Sequence, residues 1–325
     1  GKPEVFVAQA KEILVLAGKD GKVLRRLPLP TDWFESVSKR QRVDCIAFAR
    51  FTNAARPTDV IIKDRYNRIW AYSPDWKLLW TITKPGDRPT CHYSRPMDLD
   101  GDGYDEFFPG FALADRTGAL KWEMRDLQGF AKGHLDCAQL VRAVKDPAEQ
   151  RIAVTTCTGL SMALLDGHGK VFWEKTGGKH YEVLDVGRLR NDVPGRQIVV
   201  DLDKKPYTGA LEVYSEAGEL LGTYWTEYSR FHRVLDWNGD GLDEIVLART
   251  PAVVDGHGKL VAYLDGVDAS TMREGALGFT GNLTGKGFAD VALIAGDKVY
   301  IFQNPSPGKP ANPLPLRSEF NFSSY

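Results

Sequence analysis

Four histidines recur along the chain at intervals typical of a structural repeat. His92, His134, His180 and His232 are separated by 42, 46 and 52 residues. Neutral imidazole can accept a proton near neutral pH, and clustered imidazoles can bind a transition metal. We therefore predict that the four side chains come from matched positions of one repeat and share a functional site.

Basic and aromatic residues accompany these histidines, either beside them in the sequence or in loops expected on the same face. The formal net charge of the chain is −1, so any attraction for an anion must come from local clustering. We therefore expect one cationic cleft that binds an acidic polysaccharide or oligosaccharide, and no nucleic-acid partner. The predicted substrate-binding residues are Arg65, Tyr66, Arg95, Lys204, Lys205, Arg230, Arg233 and Arg249.

These residue types suit β-elimination on a uronic-acid polymer. A base removes the C5 proton beside the carboxylate, a cation stabilises the developing charge, and an acid protonates the oxygen that leaves C4. We expect His134 or His180 to be the base. Arg230, Arg233 or Lys204 would bind the carboxylate. The predicted catalytic set, from which the acid would also come, is His92, His134, His180, His232 and Tyr207.

Two Asp-rich segments have the oxygen spacing of calcium-binding loops. In each, oxygen-bearing residues at positions one, three, five and nine surround a glycine at position six, and the carbonyl at position seven adds a ligand. The alternative is that they are ordinary Asp/Asn/Gly turns. A third segment, from Asn282 to Asp290, carries Lys286 and is expected to hold no cation. The predicted calcium ligands are Asp98, Asp100, Asp102, Tyr104 and Glu106, and Asp236, Asn238, Asp240, Leu242 and Glu244.

The elements that must position these residues are short β-strands. Alternating apolar runs bounded by Gly, Asp and Asn recur about every 40–50 residues, the period of four-stranded propeller blades. We predict an all-β fold, a single seven-bladed β-propeller over residues 1–325 with four-stranded antiparallel blades, and six blades as the alternative count. The first blade is incomplete, and the Pro-rich tail 307–325 would close it. His168 and His257 lie in Asp-Gly-His-Gly-Lys segments, which predict exposed turns.

Several segments resemble the propeller of rhamnogalacturonan lyases and related uronate-specific polysaccharide lyases, an FG-GAP-like propeller. They are DLDGDGYDE, GHLDCAQ, VGRLRNDVPGRQIVV and DWNGDGLDEIVLA, within residues 90–305. The resemblance implies a carbon–oxygen lyase acting on a rhamnose–uronate glycan. The family motif Gly-His-Gly-Asp-Ala is partly matched from Gly133 to Ala138, which carries the catalytic histidine over to His134, with Leu135 in place of the second glycine.

Three other functions remain open from the residues alone. A non-catalytic carbohydrate-binding or adhesion propeller explains the calcium loops equally well. A glycoside hydrolase could use the same scaffold, although no carboxylate pair with the required spacing logic is evident. In a metalloenzyme, three of the four histidines would hold manganese, iron or zinc.

The remaining expectations concern the environment of the protein. No run of 18 apolar residues is present, so no membrane span is expected. We expect a monomer that is secreted or periplasmic, with its signal peptide removed. The four cysteines match no zinc pattern and are expected to be buried thiols. Calcium, in up to two structural sites, is the expected cofactor.

Overall fold

The structure is a computed structural model that describes residues 4–9, 11–30, 43–92, 94–158, 160–202, 209–225, 232–248, 250–268, 278–281, 283–284 and 289–305. Within these ranges the regular structure is β-strand, with three short 3-10 turns at Pro85–Asp87, Gln128–Ala131 and Pro147–Glu149 and no α-helix. No helix in the described residues is long and apolar enough to cross a membrane.

The described residues group into two compact units, the first within Gly1–Arg125 and the second within Asp126–Glu319. The organisation of residues 1–325 as one domain stays a prediction. The predicted role of the tail 307–325 concerns residues outside the described ranges.

Three antiparallel sheets lie in the first unit, and in each the strands follow chain order. The third sheet is extended by an isolated bridge between Met97 and Glu106, which closes the first Asp-rich segment into a hairpin. The strands are β1 (Glu4–Ala8), β2 (Glu12–Ala17) and β3 (Val23–Pro28); β4 (Cys45–Ala49), β5 (Asp59–Lys63), β6 (Arg68–Tyr72) and β7 (Leu78–Thr83); and β8 (Phe107–Gly110), β9 (Ala112–Ala114) and β10 (Leu120–Glu123).

Four further antiparallel sheets lie in the second unit. Each strand again pairs with its neighbour in sequence, as in a meander. The strands are β11 (Leu135–Arg142), β12 (Arg151–Thr156), β13 (Ser161–Leu165) and β14 (Val171–Lys175); β15 (Tyr181–Gly187), β16 (Gln197–Leu202), β17 (Ala210–Tyr214) and β18 (Leu220–Trp225); β19 (Arg233–Leu235), β20 (Glu244–Leu247), β21 (Ala252–Val254) and β22 (Leu260–Tyr263); and β23 (Gly278–Gly281), β24 (Asp290–Ala295) and β25 (Lys298–Phe302).

Burial falls from the inner to the outer strands of each complete sheet. The second strands β5 and β16 are buried along their whole length, whereas the last strands β7 and β22 are largely exposed. Strands buried on both faces are near-continuous runs of Val, Ile and Leu, because both faces pack against neighbouring sheets. This gradient is what stacked propeller blades require.

The predicted fold class is confirmed: the chain is an all-β propeller with four-stranded antiparallel blades. Seven sheets are present in the described residues, but only four of them have all four strands there. The count of seven blades is therefore not confirmed, and six stays the stated alternative.

Candidate functional site

Two of the predicted histidines meet at one buried carboxylate in the second unit. His134 directly precedes β11 and His180 directly precedes β15, so both lie at the start of a first strand. The Nε2 atom of His134 lies 3.1 Å from Oδ1 of Asp136, and Nε2 of His180 lies 3.6 Å from Oδ2 of the same carboxyl group. All three side chains are buried. The predicted convergence of histidines therefore holds for this pair.

Cys157 and Glu182 complete this group, which we call the Asp136 cluster (His134, Asp136, Cys157, His180 and Glu182). Cys157 follows β12, and its backbone N–H donates to the carbonyl of His134 across 3.0 Å. One ligand atom each from Asp136, Cys157 and His180 lie within 4.8 Å of one another. Glu182 places Oε2 at 3.3 Å from Nε2 of His180.

Sequence reasoning missed three members of the cluster, although a signal for two of them was present. Asp136 follows His134 by two residues, and Glu182 follows His180 by two. Each acid is the second residue of the strand that its histidine precedes, and its carboxylate lies within 3.3 Å of the imidazole. Cys157 was expected to be an ordinary buried thiol. Of the four free cysteines, Cys45, Cys91 and Cys137 are buried as expected, whereas Cys157 is half-buried.

In the Asp136 cluster, neighbouring groups favour each other's ionised forms. Burial opposes the thiolate of Cys157, but hydrogen bonds to His134 and His180 outweigh it and lower the thiol pKa to about 6. Burial likewise opposes the imidazolium of His134, but hydrogen bonds to Asp136 and Cys157 raise its pKa to about 9. Opposite charges in contact favour the ionised forms of both partners.

His232 has a different environment in the same unit. It is fully buried, and its Nε2 lies 3.2 Å from the carbonyl oxygen of Val199 on β16. Its own carbonyl accepts a hydrogen bond of 2.8 Å from the guanidinium of Arg233. A backbone carbonyl as partner is typical of a structural histidine. We therefore interpret His232 as a structural residue.

In the first unit, His92 stands between a carboxylate and a phenol. Its Nδ1 lies 3.3 Å from Oδ2 of Asp44, and its Nε2 lies 3.4 Å from the hydroxyl oxygen of Tyr66. The imidazole is 4 % exposed, and Tyr66 is half-buried. Asp44, His92 and Tyr66 thus form a line of three groups that can pass a proton, which we call the Asp44–His92–Tyr66 relay.

Two cations contact the Asp44 carboxylate. The ammonium of Lys63, which is fully buried, donates to Oδ2 of Asp44 across 3.0 Å, and the guanidinium of Arg65 lies 3.4 Å from Oδ1. Burial would raise the carboxyl pKa, but hydrogen bonds to His92 and Lys63 and the charge of Lys63 outweigh it. The pKa of Asp44 therefore lies well below its usual range.

Tyr66 has an unusual backbone conformation. Its φ angle is 81°, a region that non-glycine residues rarely occupy and that costs of the order of 1–3 kcal/mol. The surroundings hold it there, since its carbonyl accepts from the backbone N–H of Thr90 and the Arg65 guanidinium lies 5.2 Å from the ring centroid. Strain of this kind at an aromatic residue beside a buried histidine is frequent at functional sites.

The first Asp-rich loop has the expected wrapped conformation. The two carboxylate oxygens of Asp98 accept from the backbone N–H groups of Gly101 and Gly103, across 2.7 and 3.0 Å. Oε2 of Glu106 accepts from the backbone N–H of Leu99, across 3.0 Å. One oxygen each from Asp98, Asp100 and Glu106 lie within 4.8 Å of one another, which makes this loop a candidate metal site.

The second Asp-rich loop repeats these contacts at the matching positions. Asp236 accepts from Gly239 and Gly241 across 2.7 and 3.2 Å, and Glu244 accepts from the N–H of Trp237 across 2.7 Å. Burial raises the pKa of Glu244, as it raises that of Glu106, to about 7.

The other predicted residues divide into those described and those outside the described ranges. Arg95, three residues after His92 in the sequence, is half-buried. His168 and His257 are exposed in turns, as predicted. In the third segment, the Asp290 carboxylate accepts hydrogen bonds from the backbone N–H groups of Thr284 and of Asn304, which follows β24 and β25. Tyr207, Lys204, Lys205, Arg230, Arg249, Asn282 and Lys286 lie outside the described residues.

Comparison with known proteins identifies the fold. No family model and no curated protein matches the chain. Among solved structures, a Bacillus licheniformis rhamnogalacturonan lyase matches with a TM-score of 0.65 at 18% identity, and rhamnogalacturonan lyase YesW with 0.65 at 20%. Each match covers 92% of this chain but 53% of the other, so the chain spans about half the length of these lyases. The propeller of this chain is thus related in fold to that of rhamnogalacturonan lyases.

The same fold also occurs in a protein that is named as a matrix protein and not as a lyase. The Vibrio cholerae biofilm matrix protein Bap1 matches with a TM-score of 0.61 at 13% identity, over 94% of this chain and 75% of the other. Because one fold supports unrelated functions, the function of this chain has to be argued from its side chains.

Proposed function

We propose that the protein is a polysaccharide lyase that cleaves a uronate-containing glycan, at a rhamnose–uronate linkage, by β-elimination. The observation that carries the proposal is the Asp44–His92–Tyr66 relay with Arg65 beside it. Base, acid and cation are the three parts that β-elimination beside a carboxylate requires, and this arrangement supplies all three.

The relay suggests a specific division of roles. Asp44 accepts the Nδ1 proton of His92 and leaves Nε2 to receive the phenolic proton of Tyr66, in the manner of a carboxylate-oriented base. The Tyr66 oxygen takes the C5 proton, and the C4–C5 double bond forms as the C4–O bond breaks. The leaving oxygen takes the proton that Tyr66 has just received, and His92 then returns its proton to Tyr66. The hydroxyl oxygen of Tyr66 lies 3.4 Å from Nε2 of His92, within reach of proton transfer once the two groups approach more closely.

The guanidinium of Arg65 is the group we assign to the substrate carboxylate. Its side chain is 12 % exposed and so can reach solvent, whereas that of Lys63 is fully buried and bonded to Asp44. Lys63 therefore belongs to the scaffold of the relay. This proposal moves the base from His134 or His180, favoured by sequence reasoning, to Tyr66, whose phenolic proton His92 accepts.

The calcium and localisation predictions belong to the same proposal. Both Asp-rich loops are proposed to bind calcium and to stabilise the hairpins they close. A lyase of this kind meets its polymeric substrate outside the cytoplasm, which accords with a secreted or periplasmic protein. The similarity in fold to rhamnogalacturonan lyases supports this substrate class.

The second candidate function is a non-catalytic carbohydrate-binding propeller. The likeness in fold to a biofilm matrix protein supports this candidate. In that case the Asp-rich loops would be structural and the relay would have no chemical role. The two functions differ in whether a bound uronate is cleaved.

The test is ultraviolet absorbance of the unsaturated uronate that a lyase creates. Rhamnogalacturonan, homogalacturonan, ulvan, gum arabic and heparinoid chains would be assayed with calcium near neutral pH. We expect a rise on one rhamnose–uronate polymer. Reducing sugar released without that absorbance would indicate a glycoside hydrolase, and binding without either signal would indicate the carbohydrate-binding function.

Two variants test the roles of the relay. Tyr66→Phe and His92→Ala should each lower kcat by about 10²–10⁴-fold, the usual contribution of general acid–base groups. The matched controls are Tyr263→Phe, at a side chain that is 65% exposed, and His257→Ala in an exposed turn. Full activity of Tyr66→Phe would overturn the assignment of the proton carrier while leaving the lyase activity itself in place.

A further inference from the structure

We propose that the Asp136 cluster binds a transition-metal ion of the zinc class through Cys157, His180, Asp136 and His134. This site is separate from the Asp-rich loops, and the proposal does not depend on lyase activity. A thiolate, two imidazoles and a carboxylate are ligands that zinc accepts, whereas calcium and magnesium prefer oxygen alone.

The distances suit a tetrahedral ion after a small movement. Ligand atoms 2.0–2.3 Å from a tetrahedral centre lie about 3.3–3.8 Å from one another. The atoms of Asp136, Cys157 and His180 already lie within 4.8 Å of one another, and Nε2 of His134 lies 3.1 Å from Oδ1 of Asp136. A closure of about 1 Å, within the range of side-chain rotation, brings these three ligands to bonding distance, and His134, in contact with Asp136, is the fourth ligand we assign.

The strands that carry or border the ligands are joined by side-chain contacts. The buried hydroxyl of Thr155 on β12 donates to the carbonyl of Glu182 on β15 across 2.6 Å. The Cys137 thiol lies 3.7 Å from the carbonyl of Leu184, also on β15. Sites built on connected strands keep their ligands in place better than sites built on loops.

The backbone around Cys157 is shaped to bring the thiol inward. A Cβ atom at Gly133 would lie 2.1 Å from the carbonyl oxygen of Cys157, so only glycine permits this approach. Thr158 and Leu160 have φ angles of 61° and 53°, a left-handed conformation that non-glycine residues seldom adopt. The Thr158 hydroxyl lies 3.7 Å from the Cys157 sulfur and can orient it. Two such residues directly after the thiol indicate a constrained turn.

Cobalt(II) is the probe for this site, because it replaces zinc and reports on its ligands. Protein stripped with a chelator would be titrated with Co²⁺, without glycan, and followed by visible and near-ultraviolet absorbance. We expect one ion per chain, the visible bands of tetrahedral coordination, and a near-ultraviolet thiolate-to-cobalt charge-transfer band. Zinc should displace the cobalt and abolish these bands.

Variants identify the ligands. Cys157→Ser should remove the charge-transfer band, and His180→Ala should weaken Co²⁺ binding by more than the roughly 10–100-fold typical of outer-shell changes. The control is Cys137→Ala, since Cys137 is buried nearby on β11 but lies outside the cluster. Circular dichroism verifies that each variant is folded. Absence of tetrahedral bands, or a charge-transfer band unchanged in Cys157→Ser, would overturn the proposal.

Discussion

At the scale of single residues, Asp44 and Asp136 have similar surroundings. Each carboxylate is largely shielded from solvent and contacts more than one basic side chain. Asp44 contacts Lys63, Arg65 and His92, whereas Asp136 contacts His134 and His180. A buried charge is tolerated only when it is paired and hydrogen-bonded. Such carboxylates set both the orientation and the charge of the imidazoles around them.

Replacing Asp44 tests this pairing directly. Asp44→Asn leaves the fully buried ammonium of Lys63 without its carboxylate, so we expect the free energy of unfolding to fall by about 3–5 kcal/mol. Urea denaturation measures the loss. The double variant Asp44→Asn with Lys63→Met should recover much of the stability, because the unpaired charge is gone. An additive or larger loss in the double variant would contradict the pairing.

The acid dependence of stability gives an independent check on Asp44. Its pKa is lower in the folded protein than its ordinary value of about 3.9. The stability it contributes is therefore complete above about pH 4 and is lost as the pH falls further. Urea midpoints below pH 4 should fall less steeply in Asp44→Asn than in the wild-type protein. Parallel slopes would show that the carboxylate is not held ionised.

At the scale of elements, the two Asp-rich loops have the same backbone but different neighbours. Lys121, the bulge residue of β10, places its ammonium 3.4 Å from Oε1 of Glu106 and 3.8 Å from Oδ2 of Asp100. The bulge residue of β22 at the matching position is Val261. A cavity of about 170 Å³ beside the second loop is lined by Asn238, Asp240, Leu242, Glu244 and Val261, among others. The second loop therefore has room for a cation where the first has a lysine.

We expect the second loop to bind calcium more tightly than the first. Lys121→Val removes a positive charge that costs a bound cation about 1–4 kcal/mol at 4 Å, so it should raise calcium affinity in the first loop about tenfold or more. Val261→Lys should weaken the second loop correspondingly. Isothermal titration calorimetry resolves both effects. Equal affinities in the wild-type protein, unchanged by either variant, would show that Lys121 does not compete with calcium.

At the scale of the whole molecule, the chain is near-neutral and all-β. In the described residues, hairpin loops rather than α-helices connect the strands of each sheet. One Asp-rich loop lies in each of the two compact units. Burial raises the pKa of Glu106 and Glu244, and a cation in either loop would oppose this by favouring the ionised carboxylate. Calcium is therefore expected to stabilise both compact units against unfolding.

Removing calcium should lower the melting temperature of the protein. A ligand at 100 times its dissociation constant adds about 2.7 kcal/mol, which corresponds to roughly 4 °C for a chain of 325 residues. Differential scanning calorimetry with chelator and after readdition of Ca²⁺ measures the shift. Magnesium should restore little of it, because it demands tighter octahedral geometry. A melting temperature indifferent to chelation would remove the structural role of calcium.

Local features of this chain could be predicted from its sequence. Strands follow from apolar alternation and turns from Asp, Asn and Gly, and both depend on residues only a few positions apart. The Asp98 and Asp236 carboxylates accept hydrogen bonds from backbone N–H groups three and five residues later in the chain. The wrapped conformation of both loops therefore follows from residue spacing alone. The exposed turns of His168 and His257 have the same local origin.

The carboxylate partners of His92 and His180 that are distant in sequence were decided only by the tertiary structure. His92 is 48 residues from Asp44, and His180 is 44 residues from Asp136. His232 meets a backbone carbonyl instead of a carboxylate, although it stands at a matched point of the repeat. A repeat places side chains at equivalent positions, but their contacts depend on which residues the adjacent strands present there. That information is long-range, and it distinguishes the Asp44–His92–Tyr66 relay and the Asp136 cluster from a ring of four equal histidines.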